Sequence, residues 1–228
     1  MISVLMPTRG RPDLLQRAID SFRSTTDDCA EIILRIDEDD EPTLDLVCNL
    51  PPGRRADDVR VIVGKRLDGY TSLLRFMHEC AQHARGSLLM PGNDDMIFRT
   101  PQWDALLLDE AAHFPDGIYA FSPNAVTDGG IGHPFATVSR WWFDTLGFVH
   151  DQRLFWGDVF VREVALRLDR LIPLRHVVIE HAWARDRRPE AQEQEKDYGP
   201  DNHVYWDLHL QAVNEAVAKL GGLRTNVA

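Results

Sequence analysis

Two adjacent carboxylates and an amide, Asn93, Asp94 and Asp95, sit between apolar anchors in the stretch Leu88 to Phe98, LLMPGNDDMIF. Leu88, Leu89 and Met90 read as a short buried strand. Pro91 and Gly92 stop it, and Met96, Ile97 and Phe98 return to apolar character. Neighbouring carboxylates repel each other, and a hard divalent cation relieves that repulsion. In open α/β sheets ligands bind at the carboxyl ends of strands. The turn therefore suits Mg2+ or Mn2+ together with a phosphate. The same residues also suit a solvated polar turn, because Asn and Asp are common turn formers.

Other residues could serve the same chemistry. Pro7-Thr8-Arg9-Gly10-Arg11 follows the short apolar strand Ile2 to Met6, so Thr8, Arg9 and Arg11 are placed to meet a nucleotide or its phosphates. Two exposed arginines at a helix start are the plainer reading. Asp37 is the acid nearest the end of a second strand, Ala30 to Ile36, and one carboxylate there can accept hydrogen bonds from a base or ribose. The acids that follow it, Glu38 to Glu41, read as a solvated run or a helix start. Lys65 and Arg66 open the loop after a third strand, Val59 to Val63. Asp158 lies between Phe155-Trp156-Gly157 and Val159-Phe160. It fits either a helix N-cap or a base held in a partly dry pocket. His181 follows just after the last strand, Val177 to Ile179, where a histidine can complete a metal shell or be an ordinary histidine. Trp141 and Trp156 offer aromatic faces of the kind found in sugar and base sites, although bulky core residues explain most tryptophans.

The elements that must position these groups alternate. Strands at 2–6, 30–36, 59–63 and 88–90 are separated by helical stripes such as Leu14, Leu15, Ala18, Ile19 and Phe22, and Leu73, Leu74, Met77, Cys80, Ala81 and Ala84. A further helix spans Pro101 to Phe114, and a further strand spans Ile118 to Ser122. Such alternation predicts a mostly parallel α/β sheet flanked by helices. His78 and His83 fall off the stripe and read as surface histidines. The second half reads as a smaller mixed part. It has a short strand at Phe135 to Val138 and a helix from Ser139 to Leu146. A polar loop from Arg185 to His203 without periodicity reads as mobile, and the final amphipathic helix is closed by Gly221-Gly222.

The 228 residues suffice for one substantial domain. At 44% hydrophobic and 27% charged residues the composition is that of an ordinary soluble protein. No apolar run reaches the length of a membrane span, and the start of the chain lacks the pattern of a signal peptide. The expectation is a cytoplasmic protein without a membrane anchor. The three cysteines have no metal spacing, which fits reduced, structural thiols. A net charge of −11 argues against broad non-specific binding to nucleic acid.

Taken together, these motifs resemble the GT-A (Rossmann-like) fold glycosyltransferases of the family-2-like kind, over most of the chain up to about His181. Ile2 to Arg11 resembles the family's opening strand and nucleotide loop. Asp37 matches its base-reading acid, and Asn93-Asp94-Asp95 stands at its Asp-x-Asp metal motif. Trp156-Gly157-Asp158 resembles its Glu-Asp signature, and His181 falls where many such enzymes place a metal-binding histidine. The departures are Asn93 for the first Asp and Gly157 for the Glu.

The resemblance implies one domain, 1–228, with a nucleotide-sugar half (1–122) and an acceptor half (123–228). It implies Mn2+ or Mg2+ at Asp95 and His181. Pro7, Thr8, Arg9, Arg11, Asp37, Lys65, Arg66, Asn93 and Asp94 would hold a nucleoside diphosphate sugar. Asp158 would be the base, and Trp141 and Trp156 would meet the acceptor. The reaction would move the sugar with inversion to a hydroxyl of a glycan, a small molecule or a hydroxymethylated nucleotide or DNA base. A nucleotide-sugar-binding protein without turnover and a metal-dependent phosphohydrolase are the alternatives.

Overall fold

The strands expected from apolar runs form because both of their faces are covered. In the computed structural model, which describes residues 1–55, 57–67, 72–125, 135–148, 157–182 and 203–224, β1 (Ile2–Thr8) and β2 (Ala30–Asp37) are buried at every position. Continuous burial is what a parallel strand with helices on both sides requires. The side chains alternate by face. Val4, Met6, Ile32 and Leu34 join one core cluster with Leu15, Ala18, Ile19 and Phe22 of α1 (Pro12–Thr25). Leu5 and Ile33 join a second cluster with Leu74, Met77, Cys80 and Ala81 of α3 (Ser72–His83). Burial pushes the Cys80 thiol up to about 12, so it packs as an inert apolar group. All three cysteines are free.

The remaining elements are α2 (Glu41–Cys48), β3 (Val59–Gly64), β4 (Leu88–Pro91), β5 (Met96–Phe98), α4 (Trp103–Ala111) and β6 (Ala120–Asn124). They continue with β7 (Thr137–Ser139), α5 (Arg140–Leu146), α6 (Gly157–Arg167), β8 (Leu171–His181) and α7 (His203–Arg224). Among the described residues the sheet has eight strands in the order β3-β2-β1-β4-β7-β6-β8-β5. β1 lies parallel to β2 and β4, and β6 lies parallel to β8. β7 runs antiparallel to β4 and β6, and β5 antiparallel to β8. The sheet is thus mostly parallel with two reversed strands. No described helix is long and apolar enough to cross a membrane.

Four local expectations are corrected. Met96–Phe98 is a strand, β5, too short for periodicity to reveal. The last strand, β8, has eleven residues rather than a handful, because exposed polar positions interrupt its apolar pattern. Gly221-Gly222 does not end α7, which runs on to Arg224. A helical glycine costs only about 1 kcal/mol, and fully buried Leu220 anchors that turn. His78 is not a surface residue: its ring lies 5.0 Å from that of Phe143, and burial lowers its pKa.

Candidate functional site

Parallel register brings the carboxyl ends of β1, β2 and β4 together. Thr8 stands opposite Ile36, Asp37 opposite Gly64, and Leu5 opposite Pro91. Gly92 follows β4 with its N–H donating to the Leu5 carbonyl at 2.8 Å. A Cβ there would meet Val4 Cγ1 at 2.7 Å, so the chain needs glycine to turn so tightly over β1. That turn delivers Asn93, Asp94 and Asp95 to the end of the sheet.

Asp94 is fully buried. Its Oδ2 accepts from Thr8 Oγ1 at 2.7 Å and from Arg11 Nε at 3.1 Å, and its Oδ1 faces Arg11 Nη2. Burial raises its pKa, opposed by Arg11 and Thr8. Expected as a direct nucleotide contact, Asp94 instead lies beneath Arg11, whose side chain is 37% exposed. It is Arg11 that is presented outward, with Nη1 3.8 Å from Asp95 Oδ2.

Asp95 meets a residue 86 positions away. Met96 pairs with His181 across β5 and β8, and the Ala182 N–H donates to the Asp95 carbonyl at 2.8 Å. The curl of the sheet's far edge back toward β4 therefore sets His181 Nε2 3.2 Å from Asp95 Oδ1. That oxygen is buried, and among the described residues no donor meets it in hydrogen-bond geometry. Asn93 Nδ2 lies 3.3 Å from the same His181 nitrogen. Two ligands in an octahedron of about 2.1 Å bonds stand about 3.0 Å apart, so this pair fits one edge of a Mg2+ or Mn2+ shell. Among the described residues no group of three or more His, Cys, Asp or Glu side chains converges for a metal. Such cations often take only one or two protein ligands and complete their shell with water and substrate phosphates.

Asp37 is gripped from two sides. Arg9 Nη1 donates to Oδ2 at 3.0 Å, and Arg35 Nη1 donates to Oδ1 at 2.9 Å. Arg9 also reaches Asp39 at 2.5 and 3.0 Å, and the Gly10 N–H donates to Asp40 Oδ2 at 2.7 Å. The acids after Asp37 are not all idle solvated charge. Asp39 and Asp40 fasten the loop after β1 to the loop after β2. Pro7 is a buried member of β1 in register with Arg35. Lys65 and Arg66 are exposed beyond β3, and the charge of Arg66 reaches Asp39.

Asp158 lies in the first turn of α6. Desolvation raises its pKa, while the N–H groups of Val159 and Asp158 itself and the charge of His181 pull the other way. Trp141 is not brought to this end. Ser139 pairs with Leu88, and Leu88 with Ile2. Trp141 thus starts six residues below the level of Thr8, roughly 20 Å along the strands. Trp156 and most of the loop 185–203 lie outside the described residues.

Sequence reading missed Arg35, Asp39 and Asp40. Arg35 had a signal: a lone cation inside an apolar strand needs a buried partner, and Asp37, two residues on, shares its face.

No model of a known protein family and no curated protein matches this sequence. Solved structures do match in fold. Mannosyltransferase PcManGT from Pyrobaculum calidifontis, in complex with GDP-Man and Mn2+, is 13% identical with a TM-score of 0.65, over 97% of this chain and 73% of that one. S. aureus TarS 1-349 in complex with UDP-GlcNAc is 12% identical with a TM-score of 0.60, over 99% and 72%. The same TarS fragment with UDP matches over 78% of this chain and 59% of its own, and a longer TarS structure over 36% of its own length. The fold class is therefore the mixed α/β, GT-A-like fold that these proteins share.

Proposed function

We propose that the chain is a glycosyltransferase that uses a nucleoside diphosphate sugar. The observation that carries this reading is the pairing of Asp95 with His181 beside Arg11, at the carboxyl end of β4. Support comes from the fold shared with a mannosyltransferase whose structure holds GDP-Man and Mn2+ and with TarS, whose structures hold UDP and UDP-GlcNAc. In this reading residues 1–122 carry the donor and 123–228 the acceptor.

Asp37 accepts hydrogen bonds from the nucleobase or ribose. Arg11, held by Asp94, directs its outer N–H groups to the diphosphate, and charge-assisted bonds of that kind are the strong ones. Asp95 and His181 would hold Mn2+ or Mg2+, whose charge would offset that of the diphosphate. Asp158 takes the proton of the acceptor hydroxyl, and the hydroxyl oxygen bonds to the anomeric carbon as the bond to the diphosphate breaks. Attack from the face opposite the leaving group inverts that carbon. The raised pKa of Asp158 suits a base. The acceptor is a hydroxyl of a glycan, a small molecule or a hydroxymethylated base.

A thermal-shift screen of UDP- and GDP-sugars, with and without Mn2+, tests the reading. A ligand that binds only the folded state raises the melting temperature, by mass action. A rise with at least one sugar nucleotide is the expected result. No shift with any of them, at millimolar ligand and Mn2+, would count against it.

A further inference from the structure

Arg35 is a cation almost wholly shut away from water: its side chain is 2% exposed. Burying a guanidinium is costly unless its donors are met, and four bonds meet them. Nη1 donates to Asp37 Oδ1 at 2.9 Å and to the Ile36 carbonyl at 2.7 Å. Nη2 donates to the Lys65 carbonyl at 2.6 Å, and Nε donates to Glu79 Oε2 at 2.8 Å. The Phe76 ring centroid lies 4.2 Å from the guanidinium carbon. Gly64 leaves the room, since a Cβ there would meet Nη2 at 2.9 Å.

These partners belong to three separate elements: the end of β2, the loop after β3, and α3. Stability alone does not call for such an arrangement, because a buried ionic network is often no more stable than an apolar one. It does fix one thing closely, the direction in which Asp37 points. Arg9 alone is a loose restraint, since it is shared with exposed Asp39.

We infer that Arg35 is the positioning residue of the nucleoside subsite. Braced by Glu79 and Phe76 of α3, it locks the Asp37 carboxylate so that its remaining lone pairs face the base or ribose of the donor. It touches no substrate itself and acts through Asp37. The inference rests on the nucleotide-sugar reading above.

The test is a double-mutant cycle of Arg35→Lys and Asp37→Asn, with Glu79→Ala as a gentler probe on the α3 side. Calorimetry in Mn2+ measures UDP, GDP and inorganic pyrophosphate, and melting curves are recorded for each variant. Lysine cannot reproduce the guanidinium fork. Arg35→Lys is therefore expected to weaken whichever nucleoside diphosphate the parent binds by roughly tenfold, the scale of one charge-assisted bond. Glu79→Ala should weaken it by roughly threefold. Pyrophosphate, which lacks a nucleoside, should bind all variants alike. In the Asp37→Asn background Arg35→Lys should add little, because the two act as one unit.

Equal loss of pyrophosphate and nucleotide would reduce Arg35 to a structural residue and overturn the proposal. Additive effects of the two substitutions would do the same. If Arg35→Lys does not fold, a Glu79→Ala variant with parental nucleotide affinity overturns it as well. Failure of the underlying reading looks different: the parent then binds neither UDP nor GDP.

Discussion

Asp37, with Arg9 on one oxygen and Arg35 on the other, is the residue whose removal should be most specific. Asp37→Ala is expected to weaken nucleoside diphosphate binding by about 1–3 kcal/mol, the cost of leaving buried donors unmet. Asp39→Ala should have a smaller effect through Arg9, and Glu38→Ala none beyond a few tenths of a kcal/mol. Calorimetric titration of the three variants checks this, and three alike affinities would remove Asp37 as a base reader. Asp158 is open to a second test at this scale. Asn keeps the shape of the side chain and an oxygen that can accept from the Val159 N–H. Asp158→Asn should therefore fold and bind donor normally while losing transfer by on the order of 10²-fold or more. Single-turnover transfer within a few-fold of the parent would contradict its role as base. At this scale the sequence located Thr8 and Asp37 at strand ends and Asp95 in the turn after β4, but not what each one touches. It was uninformative within the run Asp37 to Glu41, because five similar acids differ only in which neighbour from the β1 loop reaches them.

At the opposite end of the sheet, β1 and β2 are fastened by Glu31, which is fully buried. Its carboxylate accepts from Ser3 Oγ at 2.7 Å and from the Arg85 N–H and guanidinium at 2.7 to 2.9 Å. Burial alone would push its pKa up, but the Arg85 N–H, the Ser3 hydroxyl and the Arg85 guanidinium together hold it below its ordinary value. A folded pKa below the unfolded one means that Glu31 adds stability above the unfolded value, about 4.3. That stability is lost as pH falls through the folded value. Glu31→Gln should lower stability by about 1–3 kcal/mol at neutral pH and flatten the loss of stability in acid. Urea unfolding of both proteins across the acid range checks this, and superimposable acid limbs would contradict it. The elements themselves were legible unevenly. The fully buried strands β1, β2 and β4 stand out as apolar runs, and α1 and α3 as helical stripes. β5 was hidden because three residues carry no period, and β8 because its exposed polar positions broke the pattern. Trp141 was misplaced for a related reason: aromatic character gives no hint that α5 starts at the amino end of the sheet.

Across the whole molecule, the site depends on topology more than on any one motif. Asp95 and His181 meet only because β8 pairs with β5 at the sheet's far edge, after β7 and β6 have intervened. Sequence order offered both residues as metal ligands through resemblance, but their contact follows from strand pairing that spacing alone cannot supply. The pairing of β5 with β8 thus joins His181, from the second half of the chain, to the Asn93-Asp94-Asp95 turn of the first.

Calorimetry of UDP and GDP, on the parent and on Asp95→Ala, each with Mn2+ and with a chelator, tests that arrangement most directly. The parent is expected to bind at least one of them roughly tenfold or more tightly with Mn2+, about 1.4 kcal/mol, and Asp95→Ala to erase this difference while the fold persists. Equal affinity with and without Mn2+, or a difference that survives Asp95→Ala, would contradict it.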